Sequence, residues 1–575
     1  MTFRTTSIWT LALVLTSTIL TGQETAPEAA EEAEEKGAYI ETIDVNIVNV
    51  EVYVTDKQGN PITGLTAKDF EIFEDGNPIA ISNFYAVEDG QRTDLVDKGG
   101  SQEDLERSTD PLAHPERSAE EEIPEDQRLH LVVYIDNYNI RPFNRNRVFR
   151  RMREFLNDNL SRGDRVMLVS YDRSLNIRHQ FTADPQLIAN ALFDLETVTG
   201  HAVHLDSERR DVMRDIEEAE GVGEVDWRIR QFAENQANDL AFTIDALKEI
   251  IDSLAGLSGR KAVLYVSDGL PMVPGEDLYY ALNQKFQVSS AMMLSREFDN
   301  SRRFIELTSR ASTNRVVMYT IDAAGLRAPE SSSVEVATAG TAGLATFVDT
   351  VNVSNIQAPL LMMAEETGGR TIYNTNDVGP GLERMASDFR SYYSLGYSPA
   401  HNGTGRLYKI KIKIRDKRKG LRIRHRRSYR DKPLNSRMSD IARASLTYGF
   451  DSNPLDLVVR FGEAEPQDKG IFVMPILVGI PLDRIVMVPL EEVHEGRVRI
   501  YFGAMDEDGD MSEVQEVNVP VRIPLDQLGS TEGKYFPFQT SLQIRAGGHR
   551  VTVGIWDEMG AVSSFVSKPV FIGSG

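Results

Sequence analysis

The sequence predicts a doubly wound α/β domain inserted in an N-terminal β-sandwich and followed by a C-terminal all-β sandwich. Three observations predict it. The runs His130-Leu-Val-Val-Tyr-Ile-Asp136 and Ala262-Val-Leu-Tyr-Val-Ser-Asp268 are apolar stretches closed by a carboxylate, as expected of strands buried on both faces of a parallel sheet. Residues 128–390 alternate strand-like and helix-like patterns. The segments on either side show period-two alternation between turn signals.

Within 128–390, strands are expected at Leu129–Ile135, Arg165–Tyr171, Ile177–Phe181, Ala262–Val266, Val316–Ile321 and Thr371–Tyr373. Helices are expected at Arg145–Asn159, Pro185–Glu196, Asp239–Leu257, Arg302–Ser312, Ala358–Thr367 and Leu382–Arg390. Repeated β-α units with right-handed crossovers put these strands in one sheet. Two insertions interrupt the pattern: 200–236, charged with helical stretches, and 325–355, rich in Ser, Thr, Ala and Gly and loop-like. The second follows a strand end, so it belongs on the face of Asp136 and Asp268, where open α/β sheets bind ligands. Neutral surface decoration is the competing reading.

Before the α/β region, residues 40–88 read as strands. Val48, Val50, Val52 and Val54 alternate with polar residues, while Ile43, Val45 and Ile47 alternate in the opposite phase, a slip that suggests a bulge or a change of sheet. So short a segment makes a thin sandwich, and residues 391–432 are expected to complete it. There, Tyr392–Pro399 is a strand, Lys409-Ile-Lys-Ile-Lys-Ile-Arg415 alternates cleanly, and Leu421–Tyr429 is expected to return as its hairpin partner. Residues 440–575 read all-β, with strands at Leu455–Phe461, Ile471–Val478, Ile485–Val488, Arg497–Ala504, Val514–Ile523, Phe536–Ile544, His549–Trp556 and Val562–Phe571. Residues 23–39 and 89–127 are acidic stretches without apolar periodicity and read as linkers.

Composition limits the function classes. The chain has 575 residues, a net charge of −24 and a pI near 4.9, which argues against nucleic acid as a partner. It has no cysteine, which removes disulfides, thiolate metal sites and cysteine nucleophiles together. Arg4 and the apolar stretch Ile8–Leu20, ahead of Thr21-Gly22, read as a secretory signal peptide over residues 1–22, with an uncleaved anchor as the alternative. No later segment is long and apolar enough to span a bilayer. A secreted, periplasmic or cell-envelope location in a bacterium is the expectation.

The α/β region resembles a von Willebrand factor A domain, and the whole chain resembles the secreted VWFA-related proteins of Acidobacteria. The resemblance rests on Val50-Glu-Val-Tyr-Val-Thr-Asp-Lys-Gln-Gly59, Leu65, Asp69-Phe70, Tyr134-Ile-Asp136, Gly259–Gly269 and Tyr392–Pro399 with the hairpin after it. It implies a Rossmann-like sheet, a role in binding rather than catalysis, and a metal-ion-dependent adhesion site. Carried over residue by residue, the implied metal ligands are Asp136 and Asp268; Asn139, out of register with the motif, offers a carbonyl oxygen beside them, and Thr199 or Thr197 is the candidate for the loop threonine, for Mg²⁺ or Mn²⁺. The family's first loop reads Asp-x-Ser-x-Ser, however, and Tyr138 and Ile140 stand at the two serine positions here. The site is therefore degenerate. The competing reading has Asp136 accepting backbone hydrogen bonds and Asp268 opening a turn.

Other constellations are weaker. Asp506-Glu-Asp-Gly-Asp510 has acid spacing like a calcium loop, but Met511 replaces the turn glycine, and a hairpin turn explains it better. His201 and His204 lack the glutamate of a metalloprotease motif. Lys409, Lys411, Lys413, Arg415, Arg422 and Arg424 form a basic patch suited to a polyanion or to the acidic linkers. No phosphate loop or nucleophile elbow is present, so no enzyme is expected. The expected function is an exported module that binds an unknown envelope or extracellular protein, possible cation assistance included. The alternative is a structural envelope protein with an inactive metal site.

Overall fold

The computed structural model describes residues 47–93, 128–160, 163–327, 342–415, 420–467, 470–490, 493–525 and 533–573. The expected signal peptide, the linker 23–39 and most of the linker 89–127 lie outside them. The chain divides into two compact units, one holding residues 46–432 and the other residues 433–575.

The first unit begins with β1 (Val48–Thr55), β2 (Phe70–Glu74), β3 (Asn77–Ile79), β4 (Asn83–Glu88) and β5 (Gln91–Thr93). Its α/β body follows as β6 (Leu129–Asp136), α1 (Pro142–Asn159), β7 (Arg165–Tyr171), β8 (Leu175–Thr182), α2 (Pro185–Glu196), α3 (Ala202–Glu218) and α4 (Val222–Ser253). It continues through β9 (Arg260–Ser267), α5 (Glu276–Phe286), α6 (Ala291–Ser295), α7 (Ser301–Thr313), β10 (Val316–Asp322), α8 (Ala342–Thr367), β11 (Thr371–Ile372) and α9 (Gly379–Arg390). The unit closes with β12 (Tyr392–Tyr397), β13 (Leu407–Ile414), β14 (Arg422–Arg424) and β15 (Ser428–Arg430).

The body's sheet has the order β11-β10-β9-β6-β7-β8. All neighbours are parallel except β7 and β8. The strand order reverses between β6 and β9, so their carboxyl ends flank the crevice where doubly wound sheets bind ligands. Every residue of β6 and β9 is buried, which is why both read as unbroken apolar runs. Helix α1 covers one face with Val148, Phe149, Met152, Phe155 and Leu156, a helical stripe joined to Leu131, Val133, Leu264 and Val266 in one core. Each such side chain contributes roughly 1.5–3 kcal/mol of burial free energy.

The flanking segments pair with one another. One sheet runs β14-β1-β12-β4-β5 and the other β15-β13-β2-β3. Val50 faces Leu395 across β1 and β12, and Ile412 faces Ile72 across β13 and β2. Val50, Val52, Phe70, Ile72, Leu395, Ile410 and Ile412 fill the shared core. The valine and isoleucine alternation of β1 and β13 produces this core, because alternate side chains point to one face.

Several expectations need correction. Leu421–Tyr429 does not return wholly along β13. Arg422–Arg424 pairs with the end of β1, in the opposite sheet, and only Ser428–Arg430 returns to β13. Arg424 is drawn there by Asp388, 2.6 Å away. Residues 89–93, expected as linker, form a turn at Asp89-Gly90 (φ 50° and 81°) and the strand β5. The second insertion is not loop-like throughout, since α8 begins at Ala342 rather than Ala358 and carries Pro359 within it. The first insertion is helical, and the helix expected at Asp239 is the latter part of the 32-residue α4.

The second unit comprises α10 (Leu434–Tyr448), β16 (Val458–Phe461), β17 (Glu465–Pro466), β18 (Ile471–Pro481), β19 (Val488–Pro489), β20 (Val493–Asp506), β21 (Gln515–Pro524), β22 (Tyr535–Arg545), β23 (Gly547–Asp557) and β24 (Val562–Ile572). Its strands form two antiparallel sheets, one around β18 and one around β20 and β23, sharing one core. The all-β expectation misses α10. Leu434, Met438, Ile441 and Ala442 hold helical spacing over Tyr501, Trp556 and Phe565, and Gly449 at φ 67° ends the helix. Asp506–Asp510 is the turn between β20 and β21, where the Asp506 carboxylate accepts from the backbone N–H groups of Asp508 and Asp510.

Candidate functional site

The carboxyl ends of β6 and β9 carry Asp136 and Asp268. Asp136 is fully buried. Its Oδ1 accepts from the Asn139 backbone N–H at 3.0 Å and its Oδ2 from Asn139 Nδ2 at 2.9 Å. The Tyr265 hydroxyl, from β9, donates a short hydrogen bond to the same Oδ2. Burial pushes the Asp136 carboxyl above its ordinary pKa, against the pull of the Tyr265 and Asn139 hydrogen bonds.

The loop after β6 is a plug of hydrogen bonds. At the two serine positions, Tyr138 donates to Asp239 at 2.6 Å and accepts from Arg173 at 3.0 Å, while Ile140 is buried in the sheet core. Asn137 donates to the Thr199 carbonyl at 2.9 Å and accepts from the fully buried Arg145. Thr199 thus contributes its backbone, and its side chain is exposed. Thr197 is the C-cap of α2. The threonine hydroxyl nearest the loop belongs to Thr243 of α4, 3.5 Å from Asn139 Nδ2.

Asp268 is held differently. Its Oδ2 accepts from the Arg141 backbone N–H at 3.0 Å and from Asn144 Nδ2 at 2.8 Å. Its Oδ1 is buried and has no hydrogen-bond partner among the described residues. Burial pushes its pKa up to about 6, against the pull of Arg141, Asn144 and Arg327. The Asn139 carbonyl accepts from the Asp268 backbone N–H at 3.0 Å, so Asn139 links the two acids.

Asp268 and Asn139 line a cleft of about 510 Å³, within the range of ligand sites. Both insertions supply its walls: Leu205, Asp206 and Arg209 from α3, and Asp349, Asn352 and Val353 from α8. The charges at its rim are paired. Arg141 meets Asp206 at 2.6 Å, Arg209 lies 3.5 Å from Asp349, and Arg327 meets Asp322 at 2.9 Å. Arg327 also donates to the Asp268 carbonyl.

The donor set does not suit a directly bound metal. Asp136 already receives three hydrogen bonds, Asn139 turns its amide N–H toward it, and both serine hydroxyls are replaced. Among the described residues, no group of three His, Asp or Glu side chains could hold an ion. Asp136, Asn139 and Asp268 come together as the sequence suggests, but as one hydrogen-bonded network.

The cationic residues of the hairpin are dispersed. Lys409, Lys411 and Lys413 point outward, Arg415 pairs with Glu71 at 3.1 Å, and Arg422 is exposed. Arg424 turns inward to Asp388 and the carbonyls of Gly368 and Gly369. The expected linker contact lies outside the described residues.

The residues that sequence reasoning misses are Tyr265, Thr243, Asn144, Arg141 and Arg327. Tyr265 carries a signal, because a phenol inside a doubly buried strand needs a partner for its hydroxyl. It sits directly beside Tyr134 in the register of β6 and β9. The others arrive through tertiary packing.

No family model matches the chain, and no curated protein matches it in sequence. Solved structures that align with it include an aerotolerance-related membrane protein from Bacteroides fragilis, at 10% identity and TM-score 0.23, over 45% of this chain and 98% of that one. The conserved hypothetical protein BatB from Bacteroides thetaiotaomicron aligns at 11% identity and TM-score 0.22, over 46% of this chain and 96% of that one. Human COPII-coat protein Sec24c aligns at 9% identity and TM-score 0.22, over 78% of this chain and 44% of that one. Likenesses at these scores carry no argument, so the functional reading rests on the topology and the site.

Proposed function

We propose that this chain is an exported, non-enzymatic binding module of the von Willebrand factor A type, which recognises a protein partner through the cleft at the carboxyl end of its parallel sheet. The observation that carries this reading is Asp268: a carboxylate at the topological switch point, lining a cleft of about 510 Å³, with one buried oxygen that has no hydrogen-bond donor among the described residues. A buried acceptor without a donor costs about 1–3 kcal/mol, which a ligand supplying that donor recovers. A partner's lysine, arginine or amide N–H fits this need. Arg141, Asp206, Arg209 and Asp349 offer charges of both signs around it, suited to a polar partner surface.

This reading places the module in the cell envelope or outside the cell, following the signal-peptide pattern of residues 1–22. No helix among the described residues is long and apolar enough to cross a membrane. The saturated hydrogen bonding of Asp136 favours one alternative, a structural envelope protein with an inactive metal site.

A photo-crosslinking amino acid at Leu326, a cleft residue 63% exposed, tests the reading on the full chain in envelope extracts. The expected result is a discrete crosslinked protein that disappears with Asp268→Asn. Crosslinking no greater than from a probe at Tyr535, in the other unit, or unaffected by Asp268→Asn, would count against it. Calorimetric titration with Mg²⁺ and Mn²⁺ runs alongside. Cation binding lost in Asp136→Ala would restore a metal-assisted mechanism.

A further inference from the structure

A second cavity, of about 640 Å³, opens at the opposite, amino-terminal end of the parallel sheet. Its floor is the start of β9 and β10, with Ser258, Gly259, Arg260, Arg315 and Val316. Its other wall is the sandwich, with Glu51, Ser82, Phe84, Tyr85 and Arg92. Arg426 closes the side.

The charge balance of this cavity is unequal. Arg260 and Arg426 line it beside Arg92 and Arg315, which have interactions of their own, and among the described residues Glu51 is the only lining carboxylate. Glu51 is already engaged, accepting from the Tyr53 hydroxyl at 2.9 Å with Arg260 Nε at 3.6 Å. Arg260 is 7% exposed, spans Tyr53, Phe389 and Asp388 with its terminal nitrogens, and leaves Nε buried without a hydrogen-bond partner among the described residues. Arg426 is held by two carbonyls, Ser312 at 3.0 Å and Asn49 at 2.7 Å, rather than by a carboxylate. Burial and the nearby Arg315 cation push the Arg426 guanidinium down to about 10. Burial would lower the Arg260 guanidinium, but Tyr392, Glu51 and Tyr53 outweigh it and hold the group above its ordinary pKa, so the half-buried Arg426 is the cation that an anion would relieve.

We propose that this cavity is a binding site for a small organic anion, a carboxylate or phosphate group attached to a flat ring. The guanidinium groups of Arg426 and Arg260 take the anionic group, since planar N–H forks match the oxygens of carboxylate and phosphate. The ring lies against Tyr85, where Arg92 already stacks 4.3 Å from the ring centroid. The cavity volume falls in the range of small-molecule sites. This site lies at the other end of the sheet from the Asp268 cleft and does not depend on the reading of that cleft.

Calorimetric titration of the full chain with phenyl phosphate, at low ionic strength, tests the proposal. The expected result is saturable binding that Arg426→Met weakens at least tenfold, that Arg92→Ala weakens less, and that Arg415→Ala, in the exposed basic strand, leaves unchanged. Circular dichroism and the melting temperature of each variant establish that it is folded, and Arg92→Ala serves if Arg426→Met is not. Inorganic phosphate is expected to bind more weakly than phenyl phosphate, and equal affinities would overturn the ring contact. No binding by wild type up to about 10 mM, where even a ~−4 kcal/mol interaction registers, would overturn the site. So would equal losses in Arg415→Ala and Arg426→Met.

Discussion

Asp268→Asn separates the energetic cost of the cleft from its geometry. In the folded protein the Asp268 pKa stands at about 6, against an ordinary value of 3.8, because burial penalises the charged form. A raised carboxyl pKa means that the native state holds a proton which the unfolded state has released, between those two values. The cost of the buried charge is therefore absent below about pH 4 and fully present above about pH 6–7. At ~1.4 kcal/mol per unit, the shift corresponds to about 3 kcal/mol at most. The amide keeps an acceptor for Arg141 and Asn144 and places its nitrogen where the unpartnered oxygen was. That misfit is the same at every pH, so it drops out of a comparison across pH. The other buried acids are common to both proteins and cancel likewise. Urea unfolding followed by helical circular dichroism, at pH 4 and pH 7.5, gives the quantity needed. The stability of Asp268→Asn relative to wild type is expected to be about 1–3 kcal/mol more favourable at pH 7.5 than at pH 4. A relative stability that stays constant with pH, or moves the other way, would refute a destabilising charge in the cleft.

Tyr265→Phe removes the hydroxyl that donates to the buried Asp136 and is expected to cost about 1–3 kcal/mol, the range for leaving a buried polar group without its partner. Asp136→Asn in the same background measures the coupling, which should exceed ~0.5 kcal/mol. Asp388→Ala leaves Arg370 and Arg424, now paired with it at 2.8 and 2.6 Å, without their carboxylate, and is expected to cost about 3–5 kcal/mol by urea melt. Gly369→Ala would drive a Cβ into the Met318 carbonyl oxygen, so a large fall in melting temperature is expected, whereas Gly470→Ala, with open space around it, should move it only slightly through its φ of 73°.

The parallel sheet was legible because its central strands are buried on both faces and so carry no polar alternation. That β1 needs strands from residues 391–432 was legible from a different argument, since Val48–Val54 has one apolar face and too few neighbours in its own segment to cover it, but its pairing with β12 was not. What stayed hidden was set by tertiary contact. Nothing local in Arg422-Ile-Arg424 shows that it leaves β13 for β1. The attraction of Arg424 to Asp388, 36 positions earlier, decides it. Helix α8 runs through Pro359 and from a Thr- and Ala-rich stretch with no amphipathic stripe, so periodicity gave no purchase on its start. In the site, Asp136 and Asp268 were visible as strand-end acids, but their partners Tyr265, Asn144 and Thr243 come from three different elements. Only Tyr265 left a trace in the sequence, as a polar atom within a buried run.

The two strand-end acids have different fates, and the difference bears on what the cleft can bind. Asp136 has both oxygens engaged by donors of its own chain, and the loop that follows it is fixed by Tyr138, Asn137 and Arg145. A ligand approaching Asp136 would have to break hydrogen bonds before making any. Asp268 has one oxygen engaged and one buried without a donor, in a cleft walled by both insertions. A ligand donating there must first uncover that oxygen, but it displaces no donor among the described residues and relieves an existing cost. Natural folds retain such local conflicts mainly at functional sites, where the strain is recovered on binding. By that argument the proposed binding centre lies at the end of β9 rather than of β6.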